Sequence, residues 1–369
     1  MARIWRISKT GLSIIGADIL FAFISSTFVA NEAVCQSQPQ APAKEGTTPS
    51  AQAELNLKEI PFKIVYETYR QTNGKENWEL YLINADGSNP VNLTNTPELD
   101  EMYPHVSPDG TKVCFVVDQL AGENKVRNVY YMNIDGTGRV KVAENARDPC
   151  WSPDGKTIAY LKGEFERYTI TDYASKGLSF YDLETRKPQI KTFWGRLREH
   201  PNRTLHHLYN ICWSADGGWF LATVHGGMGF KHANLAFEAG GTKVFDLTSY
   251  GVTGCRPDCS LDGKKIAWGA SDWDLCVGNI DLTTSTPKVT DVHGVIKCQK
   301  GYEVYHVDFS PDGKYIAFSY GPEGDEMVGG KAPGWNICVS DLSGKWVQVT
   351  IDGNHNKEPD WVPIKTQSR

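Results

Sequence analysis

The sequence contains no Cys-x-x-Cys-His segment, so no c-type haem is expected to be attached covalently to this chain. It has no Gly-x-Ser-x-Gly elbow, which argues against the nucleophile of an α/β-hydrolase. Positive charge is in deficit: 38 Lys and Arg face 44 Asp and Glu, a formal net charge of −6. A nucleic-acid binder needs a basic face to displace counterions from phosphates, so no nucleic-acid partner is expected. After residue 35 no apolar run is long enough to span a bilayer, and the processed chain is not expected to cross a membrane. The glycine-rich stretch His225-Gly-Gly-Met-Gly-Phe-Lys-His232 lacks the strand-to-helix setting and the Lys-Ser/Thr end of a phosphate loop, so it does not read as a nucleotide site.

What the chain does have begins with an export signal. Arg3, Arg6 and Lys9 precede a mostly apolar run from Leu12 to Val29, interrupted by Asp18. Residues 1–33 are assigned as a signal peptide, with an uncleaved anchor as the alternative, and Cys35 fits a lipidation site poorly. Residues 34–56, rich in Gln, Pro, Ala, Ser and Thr, bury too little apolar surface to order themselves and are read as a linker. The propeller described next takes residues 57–365, and 366–369 form a tail. Nine cysteines in an exported chain invite a disulfide reading. Cys255–Cys298 and Cys255–Cys259 are the favoured pairs because these residues are expected in loops. Cys276 and Cys338 occupy matching places in neighbouring repeats, too far apart to bridge.

Self-similarity is the strongest signal. Five segments align: Tyr103-Pro-His-Val-Ser-Pro-Asp-Gly, Asp148-Pro-Cys-Trp-Ser-Pro-Asp-Gly, Asn210-Ile-Cys-Trp-Ser-Ala-Asp-Gly, Arg256-Pro-Asp-Cys-Ser-Leu-Asp-Gly and His306-Val-Asp-Phe-Ser-Pro-Asp-Gly. Glu358-Pro-Asp-Trp-Val-Pro starts a sixth. The repeated Asp109, Asp154, Asp216, Asp262 and Asp312 are 45, 62, 46 and 50 residues apart, the scale of one propeller blade. Ser-Pro-Asp-Gly is a turn in which Pro fixes φ, Asp bonds nearby backbone and Gly accepts positive φ. Apolar strands follow it, and Asp86-Gly87 and Asp135-Gly136 mark later hairpins. Second strands at Lys63, Val113, Ile158, Trp219, Ile266 and Ile316 give an all-β, six-bladed propeller, with seven blades as the alternative count. The segment from Glu358 to Pro363 is expected to supply the inner strand before Lys63, so that both chain ends close the ring and remove free sheet edges. Trp151, Trp213, Phe309 and Trp361 are expected to pack between blades.

These repeats resemble the TolB-type, WD40-like (PD40) propeller family over residues 57–363. That family spans scaffolds, peptidase domains and lyases, so the resemblance carries the fold and leaves function open. A TolB-like envelope scaffold is one alternative reading, although residues 34–56 are too short to supply the additional N-terminal α/β domain that true TolB carries. As a whole chain the sequence also resembles the β subunits of anammox hydrazine synthases. That resemblance implies a cofactor-free subunit partnering other exported proteins, c-type haem subunits among them, in the periplasm or, for this family, the anammoxosome. The competing enzymatic reading is a metal-dependent polysaccharide lyase acting in the channel, since oligogalacturonate lyases hold a divalent ion with channel histidines.

Two sets of residues could carry such chemistry. Tyr103, Asp148, Asn210, Arg256, His306 and Glu358 hold one equivalent position at the start of each inner strand; His105, Cys150, Cys212, Asp258, Asp308 and Asp360 lie two residues on. Carboxylates at one level offer oxygen ligands to a hard cation, so His105, His306, Asp258, Asp308 and Asp360 are the candidate ligands for a divalent cation in the channel. The plainer expectation is that the aspartates bond backbone and turn groups. No catalytic residue is assigned. The irregular stretches, roughly Glu164 to Leu208, His225 to His232 and Gly321 to Gly334, suit partner contacts, with His206, His207, His225, Met228, Phe230 and His232 as candidates.

Overall fold

The computed structural model describes residues 55–119, 126–162, 177–189, 208–227, 230–240, 243–270, 274–324 and 330–364. They form six four-stranded antiparallel sheets. Blade one joins Lys63–Thr72, Lys75–Asn84 and Val91–Asn92 to the C-terminal strand His355–Val362, which takes the inner position. Lys63 pairs with Val362 and Ile64 with Trp361, so the two ends of the propeller share one sheet as expected. In blades two to six the inner strands are Asp100–Val106, Ala146–Trp151, Leu208–Trp213, Cys255–Cys259 and Tyr302–Phe309. All six second strands stand where the repeat placed them.

The turn between first and second strands repeats the same chemistry. In blade two the Ser107 hydroxyl donates to Asp109 at 2.7 Å, the Gly110 N–H donates to the Ser107 carbonyl at 2.8 Å, and the Lys112 N–H donates to the Ser107 Oγ at 2.9 Å. Ser152–Asp154, Ser214–Asp216, Ser260–Asp262 and Ser310–Asp312 repeat the first bond at 2.6–2.7 Å. Gly110 has a φ of +67°, and a Cβ placed there would lie 2.1 Å from the Pro363 carbonyl oxygen. This glycine therefore allows blade two to sit against the end of the closing strand.

The core lies in the seams. Six clusters of buried apolar side chains each lie mainly across two adjacent blades, including the seam between blades six and one. Trp151, Phe309 and Trp361 are buried at these seams and Trp213 is half-buried. The indole N–H of Trp151 donates to the His105 carbonyl at 2.9 Å and that of Trp361 to the Asp308 carbonyl at 3.2 Å, each reaching the preceding blade. The aromatic position thus supplies both seam area and a directional tie.

Three expectations change. Leu55, assigned to the linker, packs with Leu57, Ile60 and Trp361, and Asn56 caps the 3-10 turn Leu57–Glu59. The stretch from Glu164 to Leu208 is not all insertion, because Gly177–Asp182 and Lys187–Gln189 are the outer strands of blade three. No disulfide joins Cys255, Cys259 or Cys298. Cys255 and Cys259 end the same five-residue strand, which at ~3.3 Å per residue separates them by roughly 13 Å, beyond disulfide reach. The signal peptide, Cys35 and the tail lie outside the described residues.

Candidate functional site in the central channel

The inner strands carry an unusual backbone. Tyr103, Asp148, Asn210, Arg256, His306 and Glu358 have φ between +44° and +57°. They are the six equivalent positions of the repeat, and each inner strand shifts register there. A left-handed residue other than glycine costs about 1–2 kcal/mol. The surroundings hold the conformation in place. The N–H of Tyr103 donates to Glu67 at 2.7 Å, that of Arg256 to the Thr223 hydroxyl at 2.7 Å, that of Glu358 to the Ser319 hydroxyl at 3.0 Å and that of Asn210 to Asp148 at 3.2 Å. Each acceptor belongs to the preceding blade.

The bulges line an upper chamber of about 100 Å³ on the axis. Glu358 is its hub. Its Oε1 accepts from Arg256 Nη1 at 2.9 Å and lies 2.6 Å from His306 Nε2, linking blades five, six and one. The Arg256 guanidinium also sits 5.1 Å from the centre of the Tyr305 ring. Opposite, Arg147 binds Asp148 at 2.9 Å and the Leu208 carbonyl at 2.7 Å. The charges of the chamber are therefore matched by one another.

One level down the channel narrows to a waist. The Phe309 N–H donates to Asp258 at 3.0 Å, the Trp361 N–H to Asp308 at 2.7 Å and the Val106 N–H to Asp360 at 3.2 Å. The Trp151 N–H donates to His105 Nδ1 at 3.4 Å. These bonds form a girdle in which a side chain of one blade holds the backbone of the next. Burial pushes the Asp258 carboxyl up to about 6. It raises Asp308 and Asp360 well above the usual carboxylate range, with neighbouring carboxylates adding to the effect. Burial lowers His105 to about 4, so its imidazole is neutral. Below the waist a second cavity, of about 90 Å³, opens between the Ser-Pro-Asp-Gly turns and the seam aromatics.

All five candidate metal residues line the chamber on the axis, but in two tiers. His105, Asp258, Asp308 and Asp360 share the waist, but His306 lies a level above and contacts Glu358. Among the described residues no three His, Cys, Asp or Glu side chains come together as a metal-ligand group. The two tiers stand two residues apart along each inner strand, as the repeat implies, and the waist carboxylates are engaged by backbone donors. Of the partner candidates, His225 and His232 are directly opposed on the second and third strands of blade four, and Phe230 opens the third strand. His206, His207 and Met228 lie outside the described residues. Sequence reasoning left Arg256, Glu358, Thr223, Ser319 and Glu67 without roles. The first two stood at the repeated position; the others are signalled only by polar residues inside otherwise apolar strands.

No family model matches the chain. Over 223 residues, 58% of its length, it is 25% identical to the Bacillus subtilis protein named Uncharacterized peptidase YuxL. Over 103 residues it is 32% identical to a TolB homolog of Chlorobaculum tepidum. The matches cover 29% and 23% of those proteins, so the chain spans under a third of either relative. Among solved structures, TolB from Acinetobacter baumannii superposes with a TM-score of 0.56 at 17% identity, over 82% of this chain and 67% of that one. Kuenenia stuttgartiensis hydrazine synthase superposes at 0.53 and 12% identity, over 84% of this chain and 47% of that one. The fold is that of a TolB-like six-bladed β-propeller.

Proposed function

We propose that this chain is an extracytoplasmic propeller scaffold that binds other exported proteins, and that its partners are c-type haem subunits of a hydrazine synthase-like redox complex. The observation that supports a scaffold is the use made of the channel. Its charged side chains tie blade to blade, and its waist carboxylates hold the backbone of the next blade. A ring fixed in this way is a rigid platform. By strand direction, the longest connections, from Lys162 to Gly177, from Gln189 to Leu208 and from Pro322 to Asn336, all leave and re-enter on the face that bears the upper chamber. Connections mounted on a rigid scaffold are the usual carriers of recognition. The partner is proposed from the whole-chain resemblance, supported by the likeness in fold to Kuenenia stuttgartiensis hydrazine synthase.

The test is native purification of the tagged chain from its source, followed by size-exclusion chromatography with haem absorbance and peptide identification. Stoichiometric co-elution with a covalent-haem protein supports the proposal. Elution with haem-free envelope proteins would leave the scaffold and remove the redox assignment. A monomer that crosslinks to nothing would overturn both.

A further inference from the structure

We propose that His355 is a proton-operated clasp: its neutral imidazole holds residues 330–335 of blade six against the closing strand in blade one, and protonation frees one end of that strap. The Ala332 N–H donates to His355 Nδ1 at 3.0 Å. A ring nitrogen that accepts carries no hydrogen, so the imidazole is neutral with its hydrogen on Nε2. An added proton must go to Nδ1, the lone pair already in use. The strap donor would then face a second donor, and the bond is lost.

The strap has a fixed end and a releasable end. Trp335 is the fixed end. It is buried, its ring lies 5.7 Å from that of Tyr305, and its carbonyl accepts from the Asn356 N–H at 3.1 Å. A Cβ at Gly321 would lie 2.4 Å from the Trp335 ring, so a glycine there lets the indole seat. Gly334, with φ of +84°, reverses the chain, and the Trp335 N–H donates to the Ala332 carbonyl at 3.2 Å. Ala332, at the other end, reaches the closing strand through His355.

Charged and titratable groups face the imidazole from each element around it. Tyr69, on Lys63–Thr72, stacks on it at 5.5 Å. Lys331, on the strap, lies 4.7 Å from the centre of the Tyr69 ring and 3.4 Å from Glu76, on Lys75–Asn84. Lys357, two residues along the closing strand, pairs with Glu67 at 3.5 Å. Burial and the Lys331 charge hold His355 below the usual histidine range; Glu76 opposes them and Lys357 adds to them. Closing the strap therefore expels a proton. Released, His355 titrates near the ordinary value of about 6.5. Above that value closure is independent of pH. Below it the closing constant falls by up to about tenfold per unit, until the closed form is itself protonated. The strap belongs to a connection on the face that bears the upper chamber, so mild acid remodels that face. The clasp needs no partner and stands apart from the redox complex proposed above.

The experiment is hydrogen exchange of the full chain between pH 7.5 and pH 5.0, with each rate divided by the intrinsic rate at the same pH and fragmentation resolving single amides. The Ile337 N–H, which donates to the Thr350 hydroxyl at 2.9 Å, is the internal reference. Ala332 protection should be level above about pH 6.5 and fall by up to about tenfold per unit below it, while Ile337 holds. His355→Asn keeps an acceptor and takes up no proton, so Ala332 protection should not vary with pH. His355→Phe keeps the ring on Tyr69 without the acceptor, and protection should be low throughout. Parental Ala332 protection that is flat with pH, or that falls in step with Ile337, would overturn the proposal, as would a pH response retained in His355→Asn. The parental measurement decides even where a variant does not fold.

Discussion

Glu358→Gln tests whether the upper chamber holds the ring together. The glutamate side chain is only 9% exposed and receives Arg256, 11% exposed, and His306, 2% exposed. Two unit charges about 4 Å apart at an effective dielectric of ~20 interact by about 4 kcal/mol. Gln keeps the shape and one acceptor, so the loss is smaller than the whole interaction. It leaves the Arg256 charge buried without its counter-charge, and removing one partner of a buried pair costs about 3–5 kcal/mol. The residual exposure of Arg256 and Glu358 screens part of this, and the expected destabilisation is about 3 kcal/mol. Urea unfolding followed by tryptophan fluorescence would read this as a lower midpoint with unchanged slope. The double variant Arg256→Met, Glu358→Gln should recover part of the loss, because it removes the orphaned charge. A single variant within 0.5 kcal/mol of the parent, or a double variant showing simple additivity, would refute the idea that these residues act as one unit.

Two glycines at the same repeat position separate steric from conformational effects. Gly313→Ala, with φ of +66° and nothing near its Cβ, should lose about 1 kcal/mol, whereas Gly110→Ala, facing the Pro363 carbonyl at 2.1 Å, should lose roughly 3 kcal/mol; equal losses by chemical denaturation would contradict the contact. Ending the chain at Gly353 removes the closing strand and bares the edge of Lys63–Thr72, so size-exclusion chromatography should show soluble aggregates in place of a monomer peak. Asp258→Asn should flatten the stability profile between about pH 4 and pH 6. With its folded value raised to about 6, the native Asp258 binds a proton that the unfolded chain has released, so its contribution falls as pH rises through that window and is constant above it. The variant should gain on the parent by about 2 kcal/mol across those two units, measured by denaturation at each pH; a parallel pair of curves would count against a protonated Asp258.

Much of the fold was legible because the repeat encodes it several times over. Ser-Pro-Asp-Gly fixes the same turn, and Trp151, Phe309 and Trp361 mark the same seams. The pairing of Lys63 with Val362 followed from one orphaned half-repeat. The site was less legible. The repeat already set His306 two residues before the position of His105, but it did not reveal that the first of these positions is left-handed in every inner strand. That Asp258, Asp308 and Asp360 bond backbone was the plainer expectation, but that their donors belong to the next blade depends on how blades approach, which local sequence does not encode.

The shared first blade also sets a schedule for synthesis. Since His355–Val362 is the inner strand of the sheet that Lys63 opens, a nascent chain can stack its blades in order but must wait for the ribosome to deliver the last partner. Until then the earliest strand lacks a neighbour while nearly the entire polypeptide is already outside the tunnel. Late steps of this kind are slow and expose sticky intermediates. A chaperone that shields the strand beginning at Lys63 would therefore raise the yield more than one acting on any middle blade.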